Sequence, residues 1–185
     1  MSKRRVLIAI AAAMAVTAGG VTAAASSAAD GGGGGSRMRA TLIGAEEVPA
    51  ISTTGTGSFS ARQTSPGVFS YKLAYSNLES PIMQSHIHFG QEDVNGGVSV
   101  FLCTNLGNGP VGTPLCPGTT SGTITGTFNA ASVVGGAAAQ GILPGELDEL
   151  LVAIEDGLGY CNIHTGTFGN GEVRGQIGDN RGHSH

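Results

Sequence analysis

Between Thr56 and Leu78 the chain reads TGSFSARQ, then TSPG, then VFSYKLAYSNL. Two runs of alternating apolar and polar residues thus flank a proline-glycine turn. A period of two suits a strand that buries one face, and it cannot build the stripe an α-helix needs. Two such runs around a Ser-Pro-Gly turn make an antiparallel hairpin. The same texture recurs along the chain. MRATLI runs into an acidic turn and stops at Pro49, and IMQSHIHFG is followed by a QEDVNGG loop and VSVFLC. SGTITGTFN is a further strand, and Tyr160–Thr165 and Glu172–Ile177 flank a turn at Asn170-Gly171. Many short strands with regular turns predict a mainly β domain, an antiparallel sandwich or barrel.

One segment departs from this pattern. PGELDELLVAIEDG spaces Leu147, Leu150, Leu151 and Ile154 as one helical stripe, with Pro144 and acidic residues before it and Gly157 to stop it. It predicts a short helix that caps one end of the β structure and buries that stripe with Leu143.

The first residues are of a different kind. A basic MSKRR, an apolar Val6–Val16 run and small residues around 21–29 follow the order of a secretory signal. The apolar run is short for a bilayer span, although an N-terminal anchor has the same outline. The Arg4-Arg5 pair matches a twin-arginine signal poorly, so the export route stays open. Residues 1–29 are assigned to the signal peptide, 30–37 to a glycine-rich linker, 38–178 to one domain and 179–185 to a polar tail. No second apolar run reaches membrane-spanning length, so the mature chain is expected not to span a membrane and to be secreted or extracytoplasmic. Losing Lys3, Arg4 and Arg5 takes the formal charge from −4 to −7. A mildly acidic domain without a basic patch argues against a nucleic-acid partner, whose binding draws on clustered Lys and Arg.

Export makes a disulfide reasonable for the three cysteines. Cys103 ends VSVFLC, and Cys116 lies across a Gly-, Pro- and Asn-rich loop, so these two are expected to pair, contributing about 3 kcal/mol through loop closure. Cys161 is left over and alternates with Ile163, which reads as a buried free thiol. No Cys-x-x-Cys pair offers a thiolate metal site.

Histidines carry the chemistry that remains. In SHIHFG, His86 and His88 lie two apart and share a strand face, away from Ile87 and Phe89. Tyr160, Asn162 and His164 likewise share a face, so His164 can join the pair only if the two strands are neighbours. Together they are candidate ligands for copper or zinc; the alternative is a structural role in hydrogen bonding to neighbouring groups. HFGQEDVNGGVSV and HTGTFGNGEVRG read as one hairpin shape used twice. Glu172 and Arg174 stand at i and i+2 and are a candidate ion pair, while Glu46 and Glu47 shape the first turn or face solvent. Ser85 cannot form a triad with adjacent His86, because neighbours on a strand point apart. The chain has no G-x-S-x-G or HExxH motif, so no catalytic residue is assigned.

Four blocks carry a family likeness: ATLIGAEEVPA; SHIHFG with NGGVSVFLC; LDELLVAIEDGLGYCNIHT; and GEVRGQIG. In this order they resemble the CHRD domain, named for chordin and found in many exported bacterial proteins. Cys161 stands where the family usually has an apolar residue. The resemblance implies an extracellular, immunoglobulin-like β-sandwich without established catalysis. A non-enzymatic interaction or surface domain is therefore expected, its partner an unknown extracellular protein or surface ligand. HIHFG and NIHTGTFG also resemble the histidine surroundings of copper/zinc superoxide dismutases. That likeness implies His86, His88 and His164 as ligands and Arg174 as the group steering an anionic substrate. It falls short on count, for no fourth ligand and no histidine-rich zinc loop can be named.

Overall fold

The structure is a computed structural model in which residues 37–179 are described. The expected signal peptide, nearly all of the expected linker and the tail histidines His183 and His185 lie outside the described residues. Arg37, assigned above to the linker, is the first residue of a strand.

The strands are β1 (Arg37–Ile43), β2 (Thr56–Ser65), β3 (Val68–Ser76), β4 (Ile82–Phe89), β5 (Gly97–Thr104), β6 (Gly122–Asn129), β7 (Gly159–Thr165), β8 (Val173–Gln176) and the short β9 (Gly178–Asp179). Their order in the sheet is β5-β4-β7-β8-β1-β2-β3-β6, with β9 added against β1. The strand pairings are antiparallel throughout. The domain is therefore mainly β, as the alternation predicts.

The two ends of the sheet are drawn together. After β6 the chain runs beside β5 in two short 3-10 turns that sequence periodicity does not reveal. Val134 N–H donates to the Ser99 carbonyl at 2.8 Å, and Val133 bridges Val100. The Tyr71 hydroxyl donates across the interior to the Leu102 carbonyl at 2.6 Å. Eight antiparallel strands thus make one nearly closed, barrel-like sheet. Inside it lie the alternate residues of each strand, among them Leu42, Phe59, Leu73, Ile87, Leu102 and Ile163.

The expected helix is α1 (Leu147–Glu155), which buries Leu147, Leu150, Ala153 and Ile154. Leu151 is only half-buried, and Ile142 rather than Leu143 goes inside. The helix ends as its sequence requires. Gly157 takes a positive φ of 76°, its N–H donates to Ile154, and the Leu158 N–H donates to Ala153. This is a Schellman closure, in which glycine adopts the left-handed conformation without the strain a Cβ would bring. Cys103 and Cys116 form a disulfide, and Cys161 is a buried free thiol.

Strand pairing also gathers charges that are scattered along the chain. Arg37 stands opposite Arg62, Arg39 opposite Ser60, and Ser60 opposite Lys72. The absence of a basic cluster read from linear order is thereby corrected: cations from three strands meet on one open face.

Candidate metal centre

Residues directly opposite each other in antiparallel strands share a face. β4 pairs with β7 through Gln84↔His164, His86↔Asn162 and His88↔Tyr160. β7 pairs with β8 through Asn162↔Arg174 and Tyr160↔Gln176. The strand neighbourhood that His164 needs is thus present, and one sheet face carries His86, His88, His164, Asn162, Tyr160 and Arg174. It is the face turned away from the apolar interior, yet it is buried. His86, His88 and His164 are 2%, 6% and 7% exposed, and Arg174 is 1% exposed.

Three loops cover this face. The β4–β5 loop bends back so that the Gly96 carbonyl meets His88 Nδ1 at 2.9 Å. The β7–β8 loop does the same for His164, whose Nδ1 lies 3.0 Å from the Gly169 carbonyl. The two hairpins whose sequences echo each other therefore use one device, a glycine carbonyl turned onto the histidine of the preceding strand. The β1–β2 loop closes the third side, where Asn95 donates to the Val48 carbonyl at 2.9 Å.

These contacts decide the tautomers. A carbonyl only accepts, so Nδ1 of His88 and of His164 must carry the proton, and each Nε2 presents a lone pair. The His88 Nε2 is buried without a hydrogen-bond partner. The His164 Nε2 lies 3.2 Å from His86 Nδ1, while His86 Nε2 is also buried and unpartnered. One ring nitrogen from each of the three histidines falls within 4.8 Å of the others. In a tetrahedral site with metal–nitrogen bonds near 2.05 Å, ligand nitrogens are about 3.3 Å apart. The His86–His164 separation matches that edge. A carbonyl behind Nδ1, as His88 and His164 each have, is the kind of outer support that would orient a ligating imidazole.

Burial keeps these rings uncharged. Loss of hydration is the main reason the His86 pKa falls to about 2, with the neighbouring His164 and His88 adding to it. It likewise takes His88 down to about 4, against the opposing pull of the Gly96 carbonyl. His164 is lowered for the same reason, again opposed by its carbonyl partner. Neutral imidazole is the ligating form, so the cluster is ready for a cation at neutral pH.

Residues around the cluster form a second polar layer. The Arg174 guanidinium lies 3.6 Å over the Tyr160 ring, and that ring stacks on His88 with centroids 4.7 Å apart. Arg174 donates to the Gln91 carbonyl at 2.9 Å, but its Nη1 is buried without a partner. Glu172 does not pair with it. The Glu172 carboxylate accepts from Thr53 Oγ1 at 2.7 Å, from the Glu79 N–H at 2.8 Å and from Thr165 Oγ1 at 2.7 Å. Three donors already satisfy this buried carboxylate, which is why the expected Glu172–Arg174 ion pair does not form.

Glu47 is the acidic group beside Arg174; its N–H closes the first turn onto the Gly44 carbonyl, as one expectation had it, but its side chain is buried and the solvent alternative is corrected. It is 6% exposed with an unpartnered Oε1. Burial raises its pKa to about 7, with the Arg174 charge acting in the opposite sense. The carboxylate fits because residue 171 is glycine: a Cβ there would collide with it, and φ at Gly171 is +133°.

Sequence reasoning missed Asn162 and Glu47 as members of this layer. Asn162 was legible through its alternation with Tyr160 and His164. Glu47 was not, since nothing local says that a second loop will close over it. Cys161, opposite Ile87, faces the interior and not the histidine face, and burial pushes its thiol up to about 12. Among the described residues, these histidines are the cluster suited to a metal, and no fourth ligand of that kind joins them.

Neither the curated proteins nor the solved structures yield a match to this chain. The family model for the CHRD domain matches residues 38–177. That span contains β2 to β8, all of β1 but Arg37, the three loops and all three histidines, and the chain belongs to the CHRD domain family.

Proposed function

We propose that this chain is an extracytoplasmic, non-enzymatic CHRD domain that binds one copper or zinc ion through His86, His88 and His164. The reading rests on one observation above all: three buried imidazoles converge within 4.8 Å, and the Nε2 atoms of His86 and His88 are buried there without a hydrogen-bond partner. A purely structural histidine cluster would be expected to satisfy those nitrogens, because a buried acceptor without a partner is costly. An all-imidazole set suits zinc and copper better than calcium or magnesium, which favour oxygen. Export supports the reading through the N-terminal sequence, and the family and the disulfide are of the extracytoplasmic kind. The immunoglobulin-like sandwich belongs to the same proposal, with the nearly closed sheet flattened into two layers around the apolar interior.

Isothermal titration of the mature protein with Cu(II) and with Zn(II) tests the site. One equivalent should bind tightly, and His86→Ala combined with His88→Ala should abolish that binding. Deleting residues 180–185 should leave it intact. Binding that survives the double substitution, or that disappears with the tail and its His183 and His185, overturns the assignment. Superoxide dismutation by the copper-loaded protein, at a rate removed by the same double substitution, would overturn the non-enzymatic part.

A further inference from the structure

The outer face of β1, β2 and β3 collects almost every cation of the domain. The described residues contain five arginines and lysines, Arg37, Arg39, Arg62, Lys72 and Arg174. All but Arg174 line one open depression of about 450 Å³. A second hollow of about 650 Å³ shares Arg39 and Lys72 with it and extends toward Gln176 and Gly178. No acidic residue lines either hollow, although the chain as a whole is acidic. Asp179, opposite Met38 on β9, is the acidic position that register places beside them.

The arrangement works against the stability of the free protein. Arg37 and Arg62 are directly opposite each other, and like charges at opposed strand positions repel. All four cations are exposed, and among the residues whose side chains are described none makes an ion pair or a side-chain hydrogen bond with them. Their neighbours on the face are hydroxyl side chains, with Ser60 between Arg39 and Lys72, Ser70 opposite Arg62, and Thr125 opposite Lys72. Adjacent strands are about 4.8 Å apart and alternate residues about 7 Å. The cations therefore form a shallow grid of fixed positive points interleaved with hydroxyls.

The geometry points to a binding face for an acidic polysaccharide, a polymer of uronate or sulfated sugars lying across β1–β3. Several fixed cations suit a ligand with repeated anionic groups, and the serine and threonine hydroxyls suit its sugar hydroxyls. The face carries no exposed aromatic ring on which unpaired bases would stack, as single-stranded nucleic acid requires. It also presents a flat sheet rather than a helix or ribbon that would enter a duplex groove. Its exposed large apolar side chain, Ile43, lies at the end of β1 away from Arg37, so the cationic part offers no apolar group to a lipid surface.

The full mature chain should be tested against heparin, polygalacturonate, neutral dextran, duplex DNA and phosphatidylserine vesicles at one low ionic strength. Heparin or polygalacturonate should bind, weakening steeply as salt is added. Replacing Arg37, Arg39, Arg62 and Lys72 together by Gln should weaken binding by on the order of tenfold or more, with the melting curve confirming the fold. The His86→Ala, His88→Ala chain should bind the polymer as before, which separates this face from the metal site. Affinity no higher than for dextran, binding unchanged in the four-Gln variant, or tighter binding of DNA or vesicles would each overturn the proposal.

Discussion

Arg174 and Arg62 are the same residue type on the same face of the same sheet, and they live in opposite environments. Register links them through Ile43, which lies opposite Arg174 on one side and Thr56 on the other. Arg174 is 1% exposed, stacked on Tyr160 and tied to a backbone carbonyl, whereas Arg62 is exposed beside Arg37. The difference lies in what covers each half. Loops at 44–51, 90–96 and 166–171 close over β4, β7 and β8, and nothing equivalent covers β1–β3 among the described residues. A polar strand face becomes a buried histidine cluster or an open cationic surface according to loops that are remote in sequence.

The strongest way to break this comparison is acid. The covered half holds histidines whose pKa values fall below their ordinary value, so the unfolded chain takes up protons that the folded chain refuses. Their contribution is fully present above pH 6.5 and is lost as pH falls toward about 4 for His88 and about 2 for His86. Glu47 has the opposite sign. Its pKa is raised, so its contribution is present below pH 4.5 and lost as pH rises through about 7. The two effects oppose each other between pH 6.5 and 4.5, where the histidines outnumber the one carboxyl, and below that the histidines act alone. Urea unfolding of metal-free protein should show stability falling as pH drops below about 6.5, because the one carboxyl offsets only part of the histidine effect. The fall should continue toward about pH 2 and total several kcal/mol, each histidine costing about 1.4 kcal/mol for every pH unit between its ordinary and its folded pKa. A flat profile from pH 6 to 3 would mean that the rings are hydrated and the covered half is open.

Next in size comes Arg174→Ala. It removes a buried cation and its ring contact and leaves Glu47 without the neighbouring positive charge, so a loss of about 3 kcal/mol is expected in the same assay at pH 8. Gly171→Ala should follow at roughly 1–3 kcal/mol, because its backbone lies at positive φ and the added methyl displaces the Glu47 carboxylate. The smallest effect belongs to the open half. Arg62→Gln relieves repulsion with Arg37 and should raise stability by a few tenths of a kcal/mol in low salt, with the gain vanishing in high salt. If Arg62→Gln cost as much as Arg174→Ala, the contrast between the halves would fail.

Every strand that alternation marked is present, since burying one face of a strand writes a local period of two. The helix was legible for the same kind of reason, down to Gly157 as its stop. His86 and His88 announced a shared face by spacing alone. Less was visible where distant segments meet. The 3-10 turns at 130–140 carry no periodicity, because they are shaped by packing against β5. Glu172 and Arg174 have the spacing of a pair, but Thr53, Glu79 and Thr165 arrive from elsewhere and satisfy the carboxylate first.

The sequence by itself determined the strands, the helix, the disulfide partners and the parity that sends each histidine to one face, all consequences of short-range chemistry and period. Tertiary structure alone decided that β4 would lie beside β7, that two glycine carbonyls would set the tautomers of His88 and His164, that Glu47 would be buried, and that four scattered cations would meet on β1–β3. Those outcomes depend on strand order and loop closure, which are fixed by the packing of the whole interior rather than by any one stretch of the chain.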